Sequence, residues 1–327
     1  MFEQIIILML SLMLLVWSAD KFVYGASSLA ANLGVSPMII GLTIVAMGSS
    51  APEMMVAAAA AMNGNPDTAV GNAIGSNITN IALVLGMTVL VKPLSITSGT
   101  IKKELPLLLL LSIFTYFVFA DNFFSFSEGV ELMIGFFIFI AFLLIKALRE
   151  RKQNALNDQM LIEAEAEIEE KTTPLLSVVW LVVGIITLVA SAKFLVGSSI
   201  FIAKFFGVSD LVIGLTVIAI GTSLPELAAS IASVLKGEDD LAMGNIIGSN
   251  IFNILAVLPF AALIAPGPIN PEAIARDIPA MLGITFLLFM ISFSRKRGNF
   301  RLTRVKGGLL VLSFIGYQTL LFTQVTA

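Results

Sequence analysis

Apolar residues fall along this chain in long, nearly unbroken blocks set apart by short polar ones. Ten such blocks run near 4–32, 37–62, 68–91, 104–120, 127–148, 174–205, 210–235, 241–264, 277–294 and 306–323. A bilayer core about 30 Å thick needs about 20 apolar residues per helix, so each block predicts a membrane-spanning helix. The first and sixth are long enough to require tilt or to extend beyond the hydrocarbon. Ten antiparallel spans place both termini on the same side. The first block is read as a retained helix rather than a cleaved signal: Met1-Phe2-Glu3-Gln4 carries no positive charge, and the apolar run continues past Ala19. One hydrophilic stretch interrupts the pattern, 149–173, with an acidic run from Glu163 to Glu170. It reads as a hinge between two halves, 1–148 and 174–327, five spans each; ion regulation by the acidic run is the sharper alternative.

Composition agrees with that pattern. Hydrophobic residues make up 57% and charged residues 13%, against about 45–50% and about 25% in soluble domains. A net charge of −3 offers no basic field to hold nucleic acid. The chain has no Cys and no His, which removes thiolate and imidazole ligands and the usual proton shuttle. Its chemistry must run on carboxylates, hydroxyls, amides and backbone. If the N-terminus is outside, 16 of the 19 Lys and Arg residues fall on the inner side and only Lys193, Lys204 and Arg276 outside. The positive-inside rule therefore predicts both termini outside and the 149–173 loop inside.

The blocks also repeat. Residues 39–86 align without a gap to 212–259, an offset of 173, and half of the 48 pairs are identical. Gly48-Ser-Ser-Ala-Pro-Glu53 matches Gly221-Thr-Ser-Leu-Pro-Glu226, and Gly71 to Asn80 matches Gly244 to Asn253. Ser18-Ala19 and Ser191-Ala192 carry the offset back into the first and sixth spans. Matching spans are five apart, an odd number, so the second copy crosses in the opposite sense. The expected fold is an all-α polytopic membrane protein of ten helices, built as two inverted-topology five-helix repeats. Secondary transporters are commonly built so, with their site near the midplane between the copies.

The best-matched residues are polar ones inside spans. Glu53 and Glu226 lie in the second and seventh, with no Lys or Arg nearby in sequence. A lone intramembrane carboxylate costs at least a few kcal/mol and survives protonated or neutralised by a cation. Two brought together by the repeat would raise each other's pKa unless a cation sat between them. Hard oxygens carrying a charge near −2 suit a divalent cation such as Ca2+. Pro52 and Pro225 lack an N–H, and Gly48 and Gly221 loosen the same stretch. A broken helix is expected there, with the carbonyls of Ala46, Ser49, Ala219 and Thr222 open to a cation. Hydroxyls come from Ser49, Ser50, Thr222 and Ser223. Ser76 and Asn80, like Ser249 and Asn253, are four apart and share a helix face. Gly71/Gly75 and Gly244/Gly248 are spaced for close helix approach. Asn72, Asn77, Asn245 and Asn250 read as packing or capping groups. Taken singly, every one of these except the glutamates has a structural reading, since Ser and Thr bond back to their own helix and Asn joins helices.

The two Gly-x-Ser-x-Pro-Glu motifs, each followed by Gly-Ser-Asn-Ile-x-Asn, resemble the two alpha-repeats of the sodium/calcium exchanger family within the cation/Ca2+ antiporters. The resemblance covers nearly the whole chain, and the short loop resembles prokaryotic members. It implies Ca2+ coordination by Glu53 and Glu226. It also implies that Ser50, Ser223, Ser76 and Ser249, with carbonyls of Ala46, Ala219, Ser49 and Thr222, hold Na+ or Ca2+. Some relatives carry Asp where this chain has Asn253, which leaves stoichiometry open and argues against K+ co-transport. A prokaryotic inner membrane is implied as the location. The expected function is Na+/Ca2+ antiport by alternating access, with Ca2+/H+ antiport on the same glutamates as the alternative. A cation channel is disfavoured by the inverted repeat. An intramembrane enzyme with Ser50 or Ser223 as nucleophile lacks a base. No cofactor beyond the transported Na+ and Ca2+ is expected, and no partner beyond lipid and inorganic cations.

Overall fold

A computed structural model describes residues 2–161, 173–206, 219–293 and 300–325. Helix α1 is Phe2–Leu33. The second apolar block forms two helices, α2 (Pro37–Ser49) and α3 (Ala51–Met62), bent by 44° at their junction. Then come α4 (Pro66–Val91), α5 (Leu105–Val118) and α6 (Phe126–Leu161). The second half holds α7 (Pro174–Phe205), α8 (Leu224–Leu235), α9 (Asp239–Ile264), α10 (Ile278–Ser292) and α11 (Arg304–Val325). Prolines Pro37, Pro66, Pro174 and Pro225 open their helices, where a missing N–H costs nothing. Among the described residues seven helices are long and apolar enough to cross a membrane, eight if α2 and α3 count as one span. This is a membrane protein, and mostly helical.

One helix runs past its apolar block, and two stretches lie outside the described residues. The hydrophilic stretch after 148 continues helix α6 as far as Leu161, while the acidic run 163–170 lies outside the described residues. Of the seventh block, 210–235, only the part from Ala219 onward is described, so Gly214 and Thr216 also lie outside.

The 173-residue offset reappears in the backbone. Gly64 (φ +75°) and Gly237 (φ +83°) are mates across it, each taking the left-handed turn that glycine adopts without strain. They join α3 to α4 and α8 to α9. π-Helical turns at Asn80–Leu85 and Thr100–Glu104 have counterparts at Asn253–Val257 and Ala273–Asp277. Two short antiparallel ribbons cross between the halves. Strand β1 (Leu94–Ile96) pairs with β4 (Phe300–Leu302), Leu94 opposite Leu302. Strand β2 (Phe123–Phe124) pairs with β3 (Gly267–Pro268). Because α5 runs from β1 to β2 and α10 from β3 to β4, the ribbons sit at opposite ends of these helices. The two helices, mates in the repeat, pack together in opposite directions.

Helices α4 and α9 occupy the middle, 72% and 89% buried, against 17% for α6 and α11. A large apolar core surrounds them, including Ile78, Leu85, Ile246 and Phe252. A second, smaller cluster binds α1 to α7 and touches Ile40, Val45, Ala229 and Leu241. These two long helices lie almost backbone to backbone. A Cβ on Gly25 would fall 2.3 Å from the Leu181 nitrogen, and one on Gly184 would fall 2.6 Å from Phe22. Trp17 meets Trp180 edge-on at 6.4 Å, and Asn32 Nδ2 donates to Ser177 Oγ at 2.9 Å. From Phe22 and Gly184 through Gly25 and Leu181 to Asn32 and Ser177 the α1 number rises while the α7 number falls, so this pair is antiparallel too.

Candidate functional site

The break between α2 and α3 comes from the sequence Ser-Ser-Ala-Pro. Pro52 cannot donate to Gly48 and crowds the turn before it. Ser50 takes φ −86°, ψ 4°, outside the helical region, and its mate Ser223 does the same at φ −93°, ψ 8°. Each break leads into a first helical turn that carries the glutamate, Glu53 in α3 and Glu226 in α8. The two helices then cross over. Helix α3 packs on the π-helical turn that begins at Asn253, and α8 on the one that begins at Asn80. Each acid-bearing helix thus meets the turn of the opposite half that an asparagine opens.

Both acids are buried, Glu53 1% exposed and Glu226 0%. The two carboxyls lie close enough for their charges to interact, and the Ser49 and Ser50 hydroxyls lie beside the Glu226 carboxyl. Even so, none of the four carboxylate oxygens has a partner in good hydrogen-bond geometry. The same holds for both polar atoms of the Asn80 and Asn253 amides and for the Ser50 and Ser223 hydroxyls. Among the described residues no ion pair reaches either glutamate. Buried polar atoms left unpaired cost about 1–3 kcal/mol each, more when charged. Here they come as three mate pairs, all oxygen-bearing: the two acids, two serines and two asparagines. That donor set suits a hard cation.

The remaining candidates fall into place unevenly. Ser49 Oγ donates to Asn245 Oδ1 at 3.1 Å and lies 3.4 Å from Ser249 Oγ, linking the halves directly. Ser76 and Ser249 are buried on the central helices α4 and α9. The Ala46 carbonyl already accepts the Ser50 N–H at 3.0 Å, so a cation could use only its second lone pair. The backbone of Ala219 begins the short turn Ala219–Gly221 that precedes Thr222.

The four asparagines read as packing or capping groups, Asn72, Asn77, Asn245 and Asn250, take different partners. Asn245 is 1% exposed; it accepts from Ser49 and donates to Ser230 Oγ at 3.4 Å. Its mate Asn72 instead donates to the Glu53 carbonyl at 3.1 Å. The mate of Ser230 is Ala57, so the first half has no hydroxyl to match it. Asn77 and Asn250 each leave a buried amide oxygen unpaired. The glycine pairs also differ. A Cβ on Gly244 would lie 2.7 Å from the Met38 carbonyl, and one on Gly248 2.9 Å from the Leu42 backbone. Gly71 and Gly75 have no such neighbour among the described residues.

Comparison with known proteins points the same way. The sequence profile described as sodium/calcium exchanger protein matches residues 3–145 and 176–323. The chain is 53% identical over 319 residues to a protein of Alkalimonas amylolytica named as antiporter CaxA, covering 98% of each. It is 41% identical to inner membrane protein YrbG of Escherichia coli, covering 88% of each. It is 31% identical to sodium/calcium exchanger MaX1 of Methanosarcina acetivorans, over 97% of this chain and 98% of the other. The solved structure of the sodium-calcium exchanger NCX_Mj soaked with Na+ and Ca2+ superposes with a TM-score of 0.76 at 31% identity, over 95% of this chain and 96% of that one.

Fold and profile together define a membrane transporter of the cation/Ca2+ antiport class, not an enzyme class. The chain belongs to the sodium/calcium exchanger family.

Proposed function

We propose that this chain exchanges Na+ for Ca2+ across the membrane by alternating access, at a site between its two halves. The observation that carries the reading is the set of three mate pairs, Glu53/Glu226, Ser50/Ser223 and Asn80/Asn253, buried together with their oxygens unpaired. One Ca2+ neutralises the two carboxylates. Na+ ions neutralise them in its place, with further Na+ at neutral oxygens from Ser49, Thr222, Ser76, Ser249 and the carbonyls of Ala46 and Ala219. A site holding two uncompensated carboxylates crosses slowly, because bare charge in the bilayer is costly. That penalty couples the two fluxes.

The architecture in this reading is ten helices in two inverted halves, 1–148 and 174–327, joined by an inner linker at 149–173. It is supported by antiparallel mates α5/α10 and α1/α7 and by ribbons at opposite ends of the molecule. Both termini lie outside, as the Lys and Arg distribution requires. Helices α1 and α7, with an apolar cluster of their own, are the pair that slides against the core.

The test is 45Ca2+ uptake into proteoliposomes. Vesicles loaded with Na+ are compared with K+-loaded vesicles and with vesicles under an imposed pH gradient. Uptake driven by the outward Na+ gradient alone is the expected result. Uptake driven by the pH gradient without Na+ would replace this reading with Ca2+/H+ antiport through the same glutamates.

A further inference from the structure

Helix α1 touches the core through polar groups at the turn 236–238, which joins α8 to α9. Asp20, Tyr24 and Ser27 lie on one face of α1, at the spacing that lines up successive turns. Lys236 Nζ is 2.7 Å from Asp20 Oδ1 and donates to the Asp20 carbonyl at 3.0 Å. It also lies 5.8 Å from the centre of the Tyr24 ring, and the Ser27 hydroxyl donates to the Glu238 carboxylate. Lys21, next along, comes within 3.7 Å of Asp20 Oδ2 but turns toward α7, where it sits 5.2 Å over the Trp180 ring. The Lys236 contacts therefore join the α1–α7 pair to the core, whereas both Lys21 contacts lie within the pair.

The repeat shows which of these contacts the opposite membrane face can copy. At the offset of 173, the mates of Asp20, Tyr24 and Ser27 are Lys193, Gly197 and Ile200. Those of Lys236 and Glu238 are Asn63 and Asn65. A lysine facing an asparagine makes no ion pair, glycine has no ring and isoleucine has no hydroxyl. Helix α7 cannot make this set of contacts with the α3–α4 turn. In an inverted-repeat exchanger the two access states exchange the roles of the halves. A contact available to one half alone weights the equilibrium between those states.

We propose that Asp20, Tyr24 and Ser27 with the 236–238 turn form a one-sided latch that holds the inner mouth closed and makes the outward-open state the resting one. This rests on the alternating-access reading above. Asp20 and Lys236 are 48% and 32% exposed, so the latch biases the equilibrium without locking it.

The chain has no cysteine, so one introduced thiol is unique. Leu241 lies just past the turn, 1% exposed in the α1–α7 cluster. In inside-out vesicles carrying Leu241→Cys, a membrane-impermeant maleimide reports opening of the inner mouth. Adding Lys236→Gln speeds labelling about fivefold, the factor that one exposed ion pair plus one cation–π contact supplies, and Asp20→Asn, which removes the ion pair alone, speeds it about twofold. The exchange Asp20→Lys with Lys236→Asp returns it toward the starting rate. Labelling unchanged in both single variants overturns the latch, and so does a rise that the charge exchange fails to reverse. A second readout needs no thiol: in Lys236→Gln the ratio of apparent Ca2+ KM at the two membrane faces shifts, whereas misfolding lowers uptake equally at both. Failure of Na+-driven uptake in the unmodified protein would strike the transport reading itself and is read separately from labelling.

Discussion

At the scale of single residues, the acids dominate. Glu53→Gln or Glu226→Gln removes one of two charges that a divalent cation would neutralise. Each substitution is expected to weaken apparent Ca2+ affinity by roughly a hundredfold, the order of about 3 kcal/mol for breaking one partner out of a buried charge set. Uptake titrated against Ca2+, normalised to protein reconstituted, checks this; wild-type affinity in both variants would remove the glutamates from the site. Ser230→Ala takes away one hydrogen bond from Asn245 and so loosens Ser49. A loss near 1 kcal/mol, about fivefold in apparent ion affinity, is expected. The converse change, Ala57→Ser, should not reproduce it. The acids and their mates were legible in the sequence because a charge inside an apolar block stands out and the repeat marked it twice. Asn245 was not. Its partners are Ser49, 196 positions away, and Ser230, whose mate is alanine, and no local pattern reveals either.

Among the elements, the blocks of apolar residues gave most of the described long helices to within a few residues, because hydrocarbon thickness sets their length, and α6, which runs on to Leu161, is the exception. The bend at Ser50 was foreshadowed by Pro52 and Gly48. The π-helical turns were not, since one extra residue in a turn leaves the apolar pattern nearly unchanged. The two-to-three-residue strands are too short to show alternation. Close packing was only partly readable. The Gly244/Gly248 spacing predicted an approach that the structure has, against Met38 and Leu42. Gly25 and Gly184, where α1 meets α7, carried no motif. Gly244→Val would drive carbon into a backbone carbonyl that cannot yield, and is expected to lower stability by about 1–3 kcal/mol. Gly283→Ala, where an added methyl meets no described atom, should be neutral or slightly stabilising through helix propensity. Thermal unfolding in detergent compares the two, and equal midpoints would contradict the packing argument.

For the whole molecule, the 173-residue repeat was legible in the sequence, and the proposed inverted arrangement rests on one odd number, the five spans between matching copies. What the sequence left out was how the copies hold each other. The ribbons answer that: β1 of the first half is paired by β4, and β3 of the second by β2. Each half therefore leaves strand edges bare until the other half supplies a neighbour, and bare edges invite aggregation. This has a consequence for biogenesis. A ribosome that has released only the first half has made a piece with both of its strands unpaired, and quality control should treat it as unfinished. If the gene is cut within 162–172, each fragment expressed alone should be degraded, whereas the two expressed together should accumulate and recover Ca2+ uptake. Stable accumulation of either fragment alone would show that assembly does not wait for the clasp.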